Sequence, residues 1–218
     1  MILIMSVFES ELDPVQESTV SFEEKEIFQR HVMRGLLGRN EVVLTSGIFG
    51  KVESAYITQK LLDEYEVKNI FLVSGAGAMT DETEIGSVIL GEAFHEYDKI
   101  LRKGEKNPAV AGDLELIKDI KSNYSKVRIG KIISGDRILE NKEVRDDLYN
   151  RYRALALDMD SAVIAKVAKA NDCSFVSIKV ILDKSDGKTQ QDFNDNYERY
   201  SSIPGAILAD YLSKHFIG

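Results

Sequence analysis

The chain has 218 residues, of which 44% are hydrophobic and 29% charged, and its formal net charge is −8. The length fits one large domain on a prior of roughly 100–200 residues per domain, and the negative charge argues against a general affinity for nucleic acid, whose phosphates repel it. A single cysteine, Cys173, leaves no internal disulfide and suits a reducing compartment.

The first apolar run, at 2–7, leads straight into Glu9 and Glu11. It has no basic leader and falls far below the ~20 residues needed to cross a bilayer. An interior parallel strand, apolar on both faces, accounts for it better, so a cytoplasmic protein with no membrane or nucleic-acid partner is expected. Residues 22–38 read as an antiparallel excursion, with Ile27, Phe28, Val32 and Met33 at its apolar positions. Apolar, β-branched runs at 42–46, 69–74, 86–94, 127–134, 155–158 and 174–182 read as further strands. Helical patterns fall between several of them, at 52–62, 113–123 and 161–170. A last helix starts near Ser202, with Pro204 in its first turn, where a missing N–H costs little, and Ile207, Leu208, Tyr211, Leu212 and Phe216 along its buried stripe. Strands alternating with helices indicate a mainly parallel sheet covered on both faces, in one α/β domain over 1–218.

Ligands of open α/β sheets sit beyond the carboxyl ends of strands, and the segments at 8–11, 46–51, 74–78 and 183–186 follow strands in that way. SGAGA at 74–78 lacks the third glycine of a dinucleotide fingerprint and leads to an acidic stretch rather than a helix. SGIFGK at 46–51 lacks the spacing of a phosphate loop and the Ser/Thr after its lysine. The alternating Asp192, Asn194 and Asn196 would open a calcium loop, but Tyr197 stands where glycine is needed and Ile203 where glutamate is needed. His31, His95 and His215 are scattered, so no metal and no cofactor is expected. Four aspartates remain at strand ends: Asp158, Asp160, Asp183 and Asp186. Singly, each reads as a cap or turn residue, with Asp160 an ordinary N-cap candidate for the helix that follows it. Together they form a constellation that can grip ribose hydroxyls and protonate a departing base.

TSGIFGKVESA at 45–55, VSGAGAM at 73–79, EIGSV at 84–88, SGD at 134–136, DMDSAVIAKVA at 158–168 and VILDKSD at 180–186 follow one another in a characteristic order. In that order the chain resembles the nucleoside phosphorylase/nucleosidase superfamily, and within it the 5′-methylthioadenosine/S-adenosylhomocysteine nucleosidases, over nearly its whole length. The resemblance implies a single α/β domain around a mixed, mostly parallel and partly closed sheet flanked by helices, and a homodimer. It implies that Asp183 is the acid that protonates N7 of the purine, and that Glu11 orients and deprotonates the attacking water. Met159 would lie beneath the ribose, Asp160 would bind its 2′ and 3′ hydroxyls, and Phe193 would close over the nucleoside. Departures from the family pattern gather at the purine site. Asp160 replaces a glutamate, Ile138 with Leu139 beside it replaces a stacking phenylalanine after an unusual Arg137, Leu182 replaces a serine before the acid, and Ala76 replaces a serine. Phe49 is an extra residue within the turn at 47–50.

The activity implied is hydrolysis of a purine nucleoside or its 5′-thio derivative to base and sugar. The acidic FESELDP at 8–14 carries no glycine-arginine phosphate loop. A phosphate-dependent phosphorylase and a non-catalytic nucleoside-binding protein stay open as alternatives. Lys99, Arg102, Lys103 and Lys106 form a basic segment read first as a solvated face, and secondly as a binding element for a polar or anionic 5′ group.

Overall fold

The computed structural model describes residues 1–102, 105 and 107–217. Among the described residues, ten strands make one sheet: β1 (Ile2–Met5), β2 (Thr19–Ile27), β3 (Arg30–Leu37), β4 (Asn40–Thr45), β5 (Asn69–Ala78), β6 (Val88–Glu96), β7 (Val110–Ala111), β8 (Arg128–Ser134), β9 (Ala154–Asp158) and β10 (Ser174–Asp183). The helices are α1 (Asp13–Glu17), α2 (Lys51–Glu64), α3 (Leu114–Asn123), α4 (Lys142–Tyr152), α5 (Ser161–Ala170), α6 (Thr189–Tyr200) and α7 (Ile203–Lys214).

The sheet is mixed. β1 lies between β4 and β5 and runs parallel to both. β5 also pairs in parallel with β10 and antiparallel with β9. β10 turns back antiparallel onto β6, which pairs with β8, and β8 pairs with β9. The circuit β5–β10–β6–β8–β9 therefore closes on itself, while β1, β4, β3 and β2 extend from it as an open wing. The excursion expected at 22–38 is the β2–β3 hairpin, begun three residues earlier at Thr19.

Alternation along the strands sorts the core into two layers. Leu3, Met5, Val43, Ile70 and Leu72 face α2 and α5, together with Ile57, Leu61, Ile164 and Ala168. Ile2, Ile4, Val42, Phe71 and Val73 face α3 and α7, together with Ile117, Ile120, Leu208 and Leu212. This is why residues 2–5 carry no polar side chain: both faces of β1 are buried. The SGAGA segment, expected as a loop, is the end of β5, which continues to Ala78 because β9 supplies backbone partners at Gly77 and Ala78. Three helices, α1, α4 and α6, occupy regions where no helix was expected. Asp192, Asn194 and Asn196 are helical residues of α6, held to the core by Phe193, Tyr197 and Tyr200 at helical spacing. Among the described residues, no helix is long and apolar enough to cross a membrane.

Candidate active site

The loops that end β1, β5, β9 and β10 open onto one cavity of about 340 Å³. Glu11, Ala76, Ile138, Leu139, Met159, Asp160, Asp183 and Phe193 all line it, so every site residue expected from the sequence is brought together. Val7, Phe8, Phe49, Gly77, Arg137, Ser185, Thr189 and Gln190 complete much of the wall.

Glu11 ends a 3-10 turn, Glu9–Glu11, that follows β1 and folds the side chain back inward. Its Oε2 accepts hydrogen bonds from the Val7 and Phe8 amides at 3.0 and 2.8 Å, and its Oε1 accepts one from the Gly75 amide at 2.8 Å. Burial pushes the carboxyl up to about 7, although those three amides and the Lys179 charge pull the other way.

Asp183 closes β10. Ile181 pairs with Ala76 and Asp183 with Gly77, so two steps on β10 match one on β5. That bulge at Leu182 re-aims the following side chain, a common use of bulges beside functional sites. Asp183 Oδ1 accepts from the Ser185 amide at 2.7 Å. Burial raises this carboxyl to about 6; Ser185 opposes the rise, while the charges of Asp192 and Asp186 add to it.

The glycines at 75 and 77 are explained by close approach rather than by phosphate binding. A Cβ on Gly77 would lie 2.1 Å from Ser185 Oγ and 2.9 Å from Asp183 Oδ1, and one on Gly75 would lie 2.3 Å from Leu182 Cδ1 and 3.8 Å from Glu11 Oε1. Residues two apart on a strand share a face and are separated by roughly 6–7 Å. Glu11 and Asp183 thus reach the cavity over successive same-face positions of β5.

Asp160 holds the N-cap position of α5, as expected, but its side chain makes no cap bond there. Its Oδ1 accepts from the Gly50 amide at 2.8 Å and from Ser54 Oγ at 3.0 Å, so it serves the N-terminus of α2, where an anion is favoured. Asp136 does the same through the Lys51 amide at 2.7 Å. The start of α5 is held instead by Asp158, which accepts from the Ser161 amide and hydroxyl. Burial and the neighbouring Asp158 charge raise Asp160 to about 6, against Lys179, Ser54 and Gly50.

Behind the pocket lies a fully buried lysine. Lys179 Nζ is 2.8 Å from Asp158 Oδ2 and donates to Ser74 Oγ at 2.5 Å. Burial alone would raise Asp158, but Lys179, Ser134 and Ser161 outweigh it and hold the carboxyl below its usual range. Sequence reasoning passed over Lys179, although a charge inside the apolar run of β10 is itself a signal that a partner waits in the core. Lys179→Met leaves Asp158 buried and unpaired and is expected to cost about 3–5 kcal/mol. Chemical denaturation measures this, and an unchanged unfolding midpoint would contradict it.

Aromatic rings form the outer wall. Phe193 lies 6.1 Å from Phe8 and 5.1 Å from Tyr197, and the Tyr197 hydroxyl is 2.7 Å from Ser10 Oγ. Helix α6 is therefore tied to the turn that carries Glu11. Ile138 sits exposed on the rim and Leu139 is buried beneath it. Asp158 and Asp183 lie on strands that are not paired with each other; β5 separates them. Of the basic segment, Lys99 pairs with Glu105 at 3.6 Å and Arg102 is exposed, while Lys103 and Lys106 lie outside the described residues. Among the described residues, no three His, Cys, Asp or Glu side chains gather as a metal-holding group.

A partly closed mixed sheet with paired carboxyls at its strand ends defines a class, and the chain belongs to it: the phosphorylase superfamily, whose model matches residues 1–213. Within that family, the chain is 37% identical over 215 residues to the 5′-methylthioadenosine/S-adenosylhomocysteine nucleosidase of Thermotoga maritima, spanning 98% of this chain and 99% of that one. Solved structures show the same fold. The 5′-methylthioadenosine/S-adenosylhomocysteine nucleosidase of Neisseria meningitidis, in complex with methylthio-immucillin-A, superposes with a TM-score of 0.92 at 21% identity, covering 98% of this chain and 99% of that one. A futalosine hydrolase mutant of Helicobacter pylori superposes with a TM-score of 0.91 at 20% identity, again over 98% and 99% of the two chains.

Proposed function

We propose that the protein hydrolyses the N-glycosidic bond of a purine nucleoside, with 5′-methylthioadenosine and S-adenosylhomocysteine as the leading substrates. The observation that carries this reading is the pair of buried carboxyls, Glu11 near 7 and Asp183 near 6, facing one cavity over Gly75 and Gly77. Such groups exchange protons close to neutral pH, which is what general acid–base catalysis requires. The resemblance to the Thermotoga enzyme supplies the substrate class.

In the mechanism, Asp183 enters protonated and delivers its proton to N7 of the base, so that the purine departs neutral rather than as an anion. The ribose left behind develops oxocarbenium character, and the negative charge of nearby carboxylates stabilises it. Asp160 accepts hydrogen bonds from the ribose hydroxyls through the oxygen that Gly50 and Ser54 leave free. Met159 packs beneath the sugar. Glu11, ionised, takes a proton from the attacking water. Ile138, Leu139 and Ala76 bound the base, and Phe193 covers it. Balance is simple: water adds across the C1′–N9 bond, its hydroxyl going to C1′ and its proton replacing the one Asp183 gave to the base.

Hydrolysis is favoured over phosphorolysis by the charge of the wall. The one basic side chain lining the cavity among the described residues is Arg137 on the exposed rim, and Lys179 is already paired with Asp158. A phosphate beside Glu11 would meet an anion. The test is to incubate the protein with methylthioadenosine, adenosylhomocysteine, adenosine, inosine and guanosine, with and without phosphate, and to follow the free base. Release at equal rates in both is the expected result. Release that needs phosphate makes the protein a phosphorylase, and no release from any of them supports a binding protein.

A cytoplasmic homodimer completes this reading. Exposed Phe49, Val52 and Tyr56 line a hollow that shares Phe49 and Met159 with the cavity, exposed Phe28 packs on Tyr56, and this apolar surface supports association there. Sedimentation at micromolar concentration tests it.

A further inference from the structure

The side chain of Arg145, on α4, is 1% exposed and is not among the residues that line the cavity. Its Nη1 donates to the Lys184 carbonyl at 2.9 Å. Its Nη2 donates to Asp81 Oδ1 at 2.8 Å and Asp146 Oδ1 at 2.9 Å, and its Nε to Asp146 Oδ1 at 3.0 Å. A buried guanidinium so fully engaged is an expensive feature, because desolvating it must be offset by every one of those acceptors.

The Lys184 carbonyl and the Ser185 amide belong to the same peptide unit. Arg145 therefore holds one end of a planar group whose other end donates to Asp183 Oδ1 at 2.7 Å. Ser185 adopts φ +49°, the left-handed region that a serine occupies only under constraint. Turning the Lys184–Ser185 peptide by half a turn would release Ser185 from that region and swing its amide away from Asp183. The bond from Arg145 to the carbonyl opposes that rotation. The clamp is braced from the same side: Lys184 Nζ donates to the carbonyls of Asp81 and Thr83 at 3.1 and 2.7 Å, and Lys142 Nζ lies 2.5 Å from Asp81 Oδ2.

We infer that Arg145 is a positioning residue for the catalytic acid, acting through the Lys184–Ser185 peptide to fix the orientation of the Asp183 carboxyl. The inference rests on the assignment of Asp183 as the acid. Hydrogen bonds in series polarise one another, so the guanidinium also strengthens the amide as a donor to Asp183. The other groups facing that carboxyl are Asp192 from α6, Asp186 and Ser185 from its own loop, and the uncharged Gly77 from β5.

The test is Arg145→Met, read by kcat, KM, thermal midpoint and the pH at which Asp183 ionises, followed by carboxyl-carbon NMR. The expected result is a fall in kcat of about 10–100-fold, the scale set by misplacing a reacting group by a fraction of an ångström to an ångström, with KM changed less. The ionisation of Asp183 moves to higher pH, because a donor to its charged form is lost. Adding Ser185→Gly recovers part of kcat, since glycine stays in the left-handed region without strain. If Arg145→Met does not fold, Arg145→Lys carries the same test: it keeps a charge beside Asp81 and Asp146 but lacks the second arm for the Lys184 carbonyl. A folded variant with the parent's kcat and the parent's Asp183 midpoint overturns the inference. That outcome is distinct from failure of the functional reading, in which the parent releases no base and Asp183→Asn changes nothing.

Discussion

Asp183→Asn is expected to lower kcat by about 10²–10⁴-fold, the usual contribution of a positioned general acid, while the protein still binds its nucleoside. Asparagine fits the space above Gly77 and can still accept from the Ser185 amide, so the wall of the cavity survives. What it cannot do is release a proton to N7. The remaining turnover depends on Glu11 being ionised, and so should rise with pH through about 7. Calorimetry with methylthioadenosine separates loss of chemistry from loss of binding. Unchanged turnover would remove Asp183 from the mechanism, and loss of binding with loss of turnover would make it a recognition group.

Glu11→Gln is the counterpart, with an expected loss of about 10²–10⁴-fold and the opposite pH dependence. Here the residual activity needs Asp183 protonated, and should fall as pH rises through about 6. In the parent, the base near 7 and the acid near 6 are in reverse order, so the productive form, Glu11 ionised and Asp183 protonated, is a minor species at every pH in the empty site. The parent profile is then a narrow bell, and each variant keeps one limb of it. If both variants kept the same limb, the assignment of acid and base would be wrong. The same burial has a stability sign. A carboxyl raised from 4.5 to about 7 contributes stability fully present below pH 4.5 and lost as pH rises through about 7.

The sequence made the site more legible than the elements around it. Strand ends, and the order in which the motifs follow one another, depend on local patterns, and all eight expected site residues line one cavity. The role of Asp160 was not legible, because its side chain serves partners more than 100 residues away, Gly50 and Ser54; with Asp160 turned away, the side-chain cap of α5 falls to Asp158 through Ser161. Helix α6 was hidden because its surface is rich in Asp and Asn, and its half-buried stripe of Phe193, Tyr197 and Tyr200 is wider spaced than a strand signal. Helix α4 was hidden for a related reason. Its pattern is mostly polar, and Arg145 followed by Asp146 and Asp147 reads as a solvated face. Only the fold shows that Asp81 and the Lys184 carbonyl turn that arginine inward. The glycines at 75 and 77 were visible as residues but not as a reason; their cause is side chains from β10 and from the loop beyond it.

The ring of strands is closed by β10, which pairs with both β5 and β6. Strands β1, β4 and β5 are all made before residue 79 and can assemble among themselves, but nothing seals the ring until the segment ending at Asp183 arrives. Such long-range pairing is slow relative to local helix formation. Because the proposed acid is the last residue of that closing strand, the active site comes into being at the same step as the barrel. A refolding chain should regain its helical signal first and its turnover later, and the lag between them times the closure of the ring.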